Sequence, residues 1–255
     1  MLPLALRTIR DGLLGLAYPE ECRVCSGPVQ SWDDGVACAH CWNNPAITKI
    51  LTGSICAKCG TPTRAPMSSN GGTRFCGMCS ALPFAAARAC GIYSGALEAS
   101  ILFLKTHPHI CPRLRRIICQ TFSEHQHELG SDAVMPVPLH PSREKQRGFN
   151  QSAIIAKIIS REFAPRFDDR SLSRIKPTER HRAGMDAADR AQSVERAFEV
   201  TPPRMVEGIS VLLIDDVYTT GSTISAASHC LLKAGARQVN VLTIARVGDN
   251  LSGRG

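Results

Sequence analysis

Residues 211–223 read Val-Leu-Leu-Ile-Asp-Asp-Val-Tyr-Thr-Thr-Gly-Ser-Thr, and this stretch decides the fold class. Its first four residues form a short apolar run, which is typical of a central strand in a parallel sheet covered on both faces. Ligands of such sheets bind at the carboxyl ends of the strands, where Asp215 and Asp216 fall. A turn follows, and then a predicted helix over 224–233 that ends at Gly235. The sequence therefore predicts an α/β fold with a ligand site beside the two acids.

The turn between strand and helix has the composition of a phosphate site. Hydroxyls and backbone N–H groups that converge at a helix N-terminus favour an anion. The carboxylates of Asp215 and Asp216 suit the vicinal hydroxyls of a ribose as acceptors, and Mg²⁺ as hard oxygen ligands. A P-loop NTPase would also end a strand in acids, but it needs a Gly-Lys pair, and the sequence has none. The bland alternative is a solvated turn after a buried strand.

Residues 211–223 resemble the phosphoribosyl-pyrophosphate (PRPP) signature of type I phosphoribosyltransferases: four aliphatics, two acids, then a Thr/Ser-Gly-Ser/Thr loop. The resemblance implies that Asp215 and Asp216 are the catalytic pair and hold the ribose hydroxyls, while the loop holds the 5′-phosphate. The residues expected to bind PRPP with Mg²⁺ are Asp215, Asp216, Val217, Thr219, Thr220, Gly221, Ser222, Thr223 and Arg147.

Eight of the twelve cysteines fall in four C-x-x-C pairs, separated by 12, 14 and 16 residues. Each pair can form a knuckle, and two knuckles complete a tetrahedral Cys₄ site, so we expect two structural Zn²⁺. In the sequential arrangement, two zinc ribbons follow one another along the chain. A crossed arrangement would join the first pair with the third and the second with the fourth. The expected zinc ligands are Cys22, Cys25, Cys38, Cys41, Cys56, Cys59, Cys76 and Cys79.

These patterns divide the chain into three parts: an amphipathic N-terminal helix over 1–20, a double zinc-ribbon module over 21–85, and an α/β domain over 86–255. The module has too few aliphatics for a core, so a chelator is expected to unfold it and to spare the C-terminal domain. In that domain, strands are predicted at 89–93, 133–138 and 239–244 and helices at 97–104 and 152–163. Alternating elements of this kind predict a parallel sheet with helices on both faces.

Charge and apolar composition limit the partners and the location. The net charge is +8, and residues 1–85 hold seven Lys and Arg against five Asp and Glu, so most of the surplus lies in the C-terminal domain. This positive charge would attract a polyphosphate substrate or a nucleic acid. No run reaches the roughly 18 apolar residues of a transmembrane segment. With regularly spaced metal-binding cysteines and no export signal, we expect a cytoplasmic protein, associated with membranes only through partners.

Further segments are similar to the ComF family of competence-associated phosphoribosyltransferase-like proteins: 136–140 with 147–151, and 190–198 just before the signature. With the cysteine-rich front end, the similarity covers nearly the whole chain. It implies a type I phosphoribosyltransferase-like fold, with a pyrophosphate-side loop at 136–140 and the helix after it. Arg143, Lys145 and Arg147 follow that loop. Residues 174–190 are polar, carry several cations and have few apolar anchors, which predicts a mobile flap. Two hypotheses follow. The chain is a Mg²⁺-dependent phosphoribosyltransferase with an unidentified acceptor, or it handles single-stranded DNA beside other DNA-uptake proteins, with the PRPP site as a sensor or anchor.

Overall fold

A computed structural model of the protein describes residues 20–63, 75–76, 79–176, 197–202 and 205–248. The strands are β1 (Ala86–Ile92), β2 (Ala133–Pro136), β3 (Arg166–Phe167), β4 (Leu172–Arg174), β5 (Phe198–Val200), β6 (Ser210–Tyr218) and β7 (Gln238–Arg246). The helices are α1 (Ala39–Asn43), α2 (Gly95–Leu104), α3 (Pro112–Glu124), α4 (Gln126–Leu129), α5 (Pro141–Arg147), α6 (Gln151–Phe163) and α7 (Ser222–Lys233).

Five strands form one parallel sheet in the order β1-β7-β6-β2-β3. Its two faces carry separate apolar cores, because alternate residues of a strand point to opposite sides. Leu212 and Ile214 pack on one face with α2, α3 and α6, and Val211 and Leu213 pack on the other with α7 and the small antiparallel sheet β4–β5. The predicted parallel sheet with helices on both faces is therefore confirmed.

The connections of the sheet reverse direction between β2 and β6. From β2 the chain continues through α5 and α6 to β3 on one side, whereas from β6 it continues through α7 to β7 on the other. In open α/β sheets, such a reversal opens a crevice at the carboxyl ends of the two strands. β2 pairs with β6 only as far as Ile214, but β7 accompanies β6 to Tyr218. The two acids thus lie within β6, on the part that has lost one neighbour.

The cysteine-rich module wraps around the β1 edge of the sheet. Cys22, Cys38 and Cys41 pack into the core on one face, and Cys56 and Cys59 into the core on the other. The segment that joins the two halves of the module runs antiparallel along β1: the N–H of Ile92 donates to the carbonyl of Lys49 at 2.8 Å, and the N–H of Leu51 donates to that of Cys90 at 3.0 Å. The module therefore covers the β1 edge of the sheet and also packs against both of its faces.

Gly91 allows this close approach. A Cβ atom at Gly91 would lie 2.5 Å from the carbonyl oxygen of Lys49 and 2.3 Å from Cδ1 of Leu97, so only glycine fits between the covering segment and α2. No helix within the described ranges has both the length and the apolar character needed to cross a membrane. The predicted helix over 1–20, apart from Glu20, and the 177–190 part of the predicted flap lie outside the described residues.

Candidate functional site

The two adjacent carboxylates lie at the crevice between β2 and β6. Asp216 is buried, with 8% of its surface exposed, and its neighbour Asp215 is half-buried. Burial, followed by repulsion from the Asp216 carboxylate, raises the pKa of Asp215 from 3.8 to about 7, against the lowering effect of its hydrogen bonds and of Arg174. The site therefore holds an acid that exchanges its proton near neutral pH.

The N-terminus of α6 faces these carboxylates. The Ser152 hydroxyl donates to Oδ1 of Asp215 at 3.1 Å, and the Gln151 amide donates to Oδ2 of Asp216 at 3.3 Å. Asn150 fixes this helix end, because its side chain accepts from the N–H of Ser152 at 3.0 Å and donates to the carbonyl of Val137 at 3.0 Å. Residues 150–152 thus join the loop after β2 to the acids of β6.

Cations surround the acid pair. Nζ of Lys105, at the end of α2, lies 3.6 Å from Oδ2 of Asp216. The guanidinium of Arg147 donates to the Gln151 side chain, which in turn donates to Asp216. Burial and the charge of Arg143 lower the pKa of Arg174 from its usual value, while the charge of Asp215 acts in the opposite direction. Positive side chains from α2, α5 and β4 therefore converge on one pair of carboxylates.

The loop after β6 leads directly into α7. Gly221 caps this helix with φ of 77°, in the left-handed region that favours glycine. A Cβ at Gly221 would lie 2.4 Å from the hydroxyl oxygen of Tyr218, so the loop also needs the space that glycine leaves. Thr220 Oγ1 donates to Oγ of Ser222 at 3.1 Å, and both side chains are exposed. The loop presents hydroxyls and a helix N-terminus at the crevice, as a phosphate requires.

The donor set of the crevice fits a Mg²⁺–diphosphate ligand. Hard carboxylate oxygens from Asp215 and Asp216 are ligands that Mg²⁺ accepts, and their mutual repulsion, visible in the raised pKa of Asp215, would be relieved by a cation. The nearby Lys105 already supplies one positive charge to this pair. The structure brings the acids and the residues 219–223 predicted for PRPP to the end of one strand, with Arg147 reaching Asp216 through Gln151.

Several residues of this site were missed by sequence reasoning. Gln151 and Ser152 stood at the start of a predicted helix, next to a segment similar to the ComF family, and that position was the available signal for their role. Lys105 had no comparable signal, because its approach to Asp216 depends on how α2 packs against the sheet. His140, which follows β2, caps α5 by accepting from the N–H of Ser142.

The eight paired cysteines form two clusters in the sequential arrangement. One contains Cys22, Cys25, Cys38 and Cys41, the other Cys56, Cys59, Cys76 and Cys79, and within each cluster the four sulfurs lie within 4.8 Å of one another. Closest sulfur pairs are 3.7 and 3.8 Å apart in the first cluster and 3.3 and 3.6 Å in the second. A tetrahedral zinc with bonds of about 2.3 Å needs sulfurs about 3.8 Å apart, so both clusters fit a structural Zn²⁺.

The clusters are built alike. In the first, the N–H of Cys38 donates to the sulfur of Cys22 at 3.2 Å; in the second, the N–H of Cys76 donates to that of Cys56 at 3.2 Å. These and further backbone N–H groups outweigh burial and lower the pKa of Cys22 and of Cys56 to about 6, whereas burial and the neighbouring sulfurs raise the pKa of Cys41 and of Cys79. Lowered thiol pKa values favour the thiolates that bind metal.

Two buried arginines anchor the second cluster to the sheet. Arg88 of β1, with 3% exposure, donates to the carbonyl of Ala57 at 2.8 Å and forms an ion pair with Glu128 at 2.6 Å. Arg246 of β7, with 5% exposure, donates to the carbonyl of Cys59 at 2.7 Å. Because buried guanidinium groups need acceptors, the second cluster supplies partners that the C-terminal domain requires.

Two family models match separate parts of the chain. Residues 13–80 match the model described as a double zinc ribbon domain, and residues 150–254 match that of a phosphoribosyl transferase domain. The first match contains both cysteine clusters, and the second contains the acid pair and the loop 219–223. The matches agree with the two parts that the structure joins at the β1 edge.

Relatives of the chain have names that refer to DNA utilization or to competence. The DNA utilization protein YhgH of Salmonella typhimurium is 27% identical over 238 residues, which are 91% of this chain and 99% of that protein. Competence protein ComFC of Bacillus subtilis is 36% identical over 44% of each chain. Competence protein F of Haemophilus influenzae is 35% identical over 45% of this chain and 50% of its own length. The chain thus combines a double zinc ribbon with a phosphoribosyltransferase domain, and it is similar to proteins of the ComF family.

Proposed function

We propose that the chain binds PRPP with Mg²⁺ in the crevice between β2 and β6. The observation that carries this proposal is the pair Asp215 and Asp216, held by the N-terminus of α6 and followed by the loop and N-terminus of α7. Acceptors for two neighbouring hydroxyls thus stand beside a site for a phosphate. This combination matches a ribose 5-phosphate better than it matches an isolated anion, which would be repelled by the two acids.

Each part of PRPP has a counterpart among the residues of the crevice. The acids would accept the ribose hydroxyls, and the loop 219–223 would receive the 5′-phosphate. Arg147, with Arg143 and Arg174 nearby, would neutralise the pyrophosphate, because guanidinium groups bind phosphate oxygens in pairs. Mg²⁺, when bound, would add positive charge next to the diphosphate oxygens.

The same geometry supports phosphoribosyl transfer as a second candidate function. In that reaction the bond between ribose C1 and the pyrophosphate oxygen breaks, the acceptor atom bonds to C1, and the acceptor loses a proton. In the unliganded protein, burial and Asp216 raise the pKa of Asp215 to about 7, which makes this carboxylate the group of the acid pair that would take up that proton. Arg147 and Arg143 would stabilise the departing pyrophosphate by positioning and charge neutralisation.

We further propose that PRPP binding serves the handling of single-stranded DNA in the cytoplasm, together with other proteins of DNA uptake. The names of three relatives, DNA utilization protein YhgH and the competence proteins ComFC and F, support this connection. The positive charge of the C-terminal domain provides the electrostatic attraction that nucleic acid needs. In this hypothesis the crevice acts as a sensor or anchor, and turnover is not required.

Calorimetric titration of the zinc-loaded protein with PRPP, in the presence and absence of Mg²⁺, tests the binding proposal. We expect saturable binding that strengthens with Mg²⁺ and competition by ribose 5-phosphate, which contains the hydroxyls and 5′-phosphate but no pyrophosphate. An absence of PRPP binding under both conditions would contradict it. Pyrophosphate release in the presence of candidate acceptor bases and amines would favour the transferase. A change in the affinity for a labelled oligothymidylate on addition of PRPP, without release, would favour the DNA-handling hypothesis.

A further inference from the structure

The guanidinium of Arg246 connects the second cysteine cluster with the PRPP crevice. On one side, it donates to the carbonyl of Cys59 and to the hydroxyl of Thr61, both at 2.7 Å. The same Thr61 hydroxyl lies 3.1 Å from the sulfur of Cys59. Arg246 is therefore bound to the turn that presents a cluster sulfur, and its position depends on the position of that turn.

On the other side, Arg246 packs against the strand that carries the acids. Its guanidinium carbon lies 5.3 Å from the centre of the Tyr218 ring. Tyr218 is the last residue of β6, and its hydroxyl oxygen fills the space where a Cβ of Gly221 would stand. Phe84 packs edge-on against this ring, with ring centres 6.3 Å apart. Tyr218 is thus fixed between the second cluster and the loop 219–223.

We propose that Arg246 and Tyr218 are positioning residues that couple metal binding at the second cluster to PRPP binding at the loop 219–223. The proposal rests on the proposed function, since PRPP is the ligand of that loop. Zinc fixes the turn around Cys59, and the fixed turn supplies the acceptors that hold Arg246 over the Tyr218 ring. If the turn is released, the buried guanidinium loses both acceptors and has to move, and Tyr218 loses the cation above its ring.

Coupling between two sites is reciprocal, so PRPP must also strengthen metal binding at the second cluster. The first cluster provides an internal control, because it packs on the other face of the sheet. Its contacts with the C-terminal domain include α2 and α3: Thr48 donates to the carbonyl of Cys41 at 2.7 Å and accepts from the N–H of Ala96 at 2.8 Å, and Arg113 forms an ion pair with Asp34 at 2.8 Å. PRPP should therefore protect one zinc of two.

The test measures the loss of zinc from the purified two-zinc protein to a chromogenic chelator, with PRPP and Mg²⁺ or with Mg²⁺ alone. Pulsed alkylation and peptide mass spectrometry assign each released zinc to its cluster. We expect saturating PRPP to slow zinc loss from the second cluster about fivefold or more, the lower range of coupling between sites, and to leave the first cluster unchanged. Equal protection of both clusters, or of neither by PRPP that binds, would overturn the coupling.

Substitutions separate Arg246 from a general role in docking the ribbon. Arg246→Lys keeps the charge but loses the paired bonds and the flat stacking surface, so we expect it to remove the protection by PRPP. Arg88→Lys is the matched control, because Arg88 is also a buried arginine that donates to the same turn, whereas the guanidinium over the Tyr218 ring is that of Arg246. Arg88→Lys should speed zinc loss from the second cluster both with and without PRPP, and the ratio of the two rates should stay as in the wild-type protein. Loss of the ratio in Arg88→Lys alone would contradict the assignment to Arg246.

A second measurement does not depend on PRPP and separates the coupling from the proposed function. Hydrogen–deuterium exchange of the peptide that contains residues 217–224 is followed while zinc is removed. Exchange should become faster when the second cluster loses its metal, and should not respond to loss from the first. If the wild-type protein fails to bind PRPP but shows this response, the proposed function is wrong, while the link from the second cluster through Arg246 and Tyr218 to the loop 219–223 stands. If PRPP binds and the exchange stays constant, the coupling is wrong and the proposed function stands.

Discussion

Replacing Asp215 with Asn is expected to stabilise the fold and to weaken PRPP binding. In the folded protein the pKa of this acid is raised from 3.8 to about 7, by burial and by Asp216, so ionisation of Asp215 opposes folding. The folded state binds more protons than the unfolded state between about pH 4 and pH 7, and stability therefore falls as the pH rises through this window. Above about pH 7, Asp215 is ionised in both states, and the free energy of unfolding no longer changes with its titration.

The size of the expected stabilisation follows from the shift in the pKa of Asp215. One pKa unit corresponds to about 1.4 kcal/mol, so a shift from 3.8 to about 7 sets an upper limit of about 4 kcal/mol. Because Asp216 shares the repulsion, we expect Asp215→Asn to stabilise the protein by roughly 2 kcal/mol at pH 8. The advantage should shrink toward zero near pH 4. Asn keeps an oxygen that can accept from Ser152, so the hydrogen bond itself is retained.

PRPP binding should change in the opposite direction. A hydrogen bond to a charged acceptor is worth about 1.5–3 kcal/mol. Asp215→Asn combined with Asp216→Asn should thus weaken binding more than about a hundredfold, at about 1.4 kcal/mol per factor of ten. The control is Asp132→Asn, an acid that accepts from the N–H of Ser210 at the far end of β6. It should leave PRPP affinity unchanged.

Urea unfolding at several pH values and calorimetry with PRPP and Mg²⁺ give the two readouts. If Asp215→Asn lowered stability at pH 8, the raised pKa and the burial argument behind it would be wrong. If the double variant bound PRPP like the parent protein, the acids would have no part in ligand recognition.

Elemental analysis should find two zinc ions per chain, and replacing Cys22 and Cys25 with Ser should expose Cys38 to alkylation while Cys56 stays protected. Removing zinc with a chelator should also lower the unfolding temperature of the C-terminal domain by about 4 °C or more, because Arg88 and Arg246 lose acceptors worth about 1–3 kcal/mol each. An unchanged unfolding temperature in calorimetry would contradict this. The affinity for oligothymidylate, measured by fluorescence anisotropy, should fall steeply between low and moderate salt. Neutralising Arg143, Lys145 and Arg147 of α5 together should make this salt dependence weaker. An affinity that does not change with salt would exclude an interaction driven by the DNA phosphates.

The central part of the fold could be predicted because its sequence signals are local. The apolar run before Asp215 required a buried strand, and the structure places it as β6, between β7 and β2. The strand is longer than its apolar run, because pairing with β7 continues through the acids to Tyr218. The C-x-x-C spacing predicted two Cys₄ clusters but could not choose between sequential and crossed pairing, which depends on how the knuckles approach one another in space.

The rest of the site depends on contacts between distant residues. Arg246 ends an apolar strand, and nothing near it in sequence indicates that it reaches a turn 187 residues away. Arg88 interrupts a run of small residues in the same way. The short strands β3 and β5, of two and three residues, have no periodicity to recognise. The sequence-based expectation that the zinc module and the C-terminal domain unfold independently did not include these arginines, and their burial argues against it.

The segment that lies along β1 affects how the protein behaves when zinc is scarce. An uncovered edge of a parallel sheet offers a row of unpaired N–H and C=O groups to any other chain. Lys49 and Leu51 occupy that row here, and they are held there between the two cysteine clusters. A chain that fails to acquire zinc would thus leave β1 open to pairing with its own copies. We expect zinc-starved protein to accumulate as aggregates, so that metal supply sets how much of it remains dispersed.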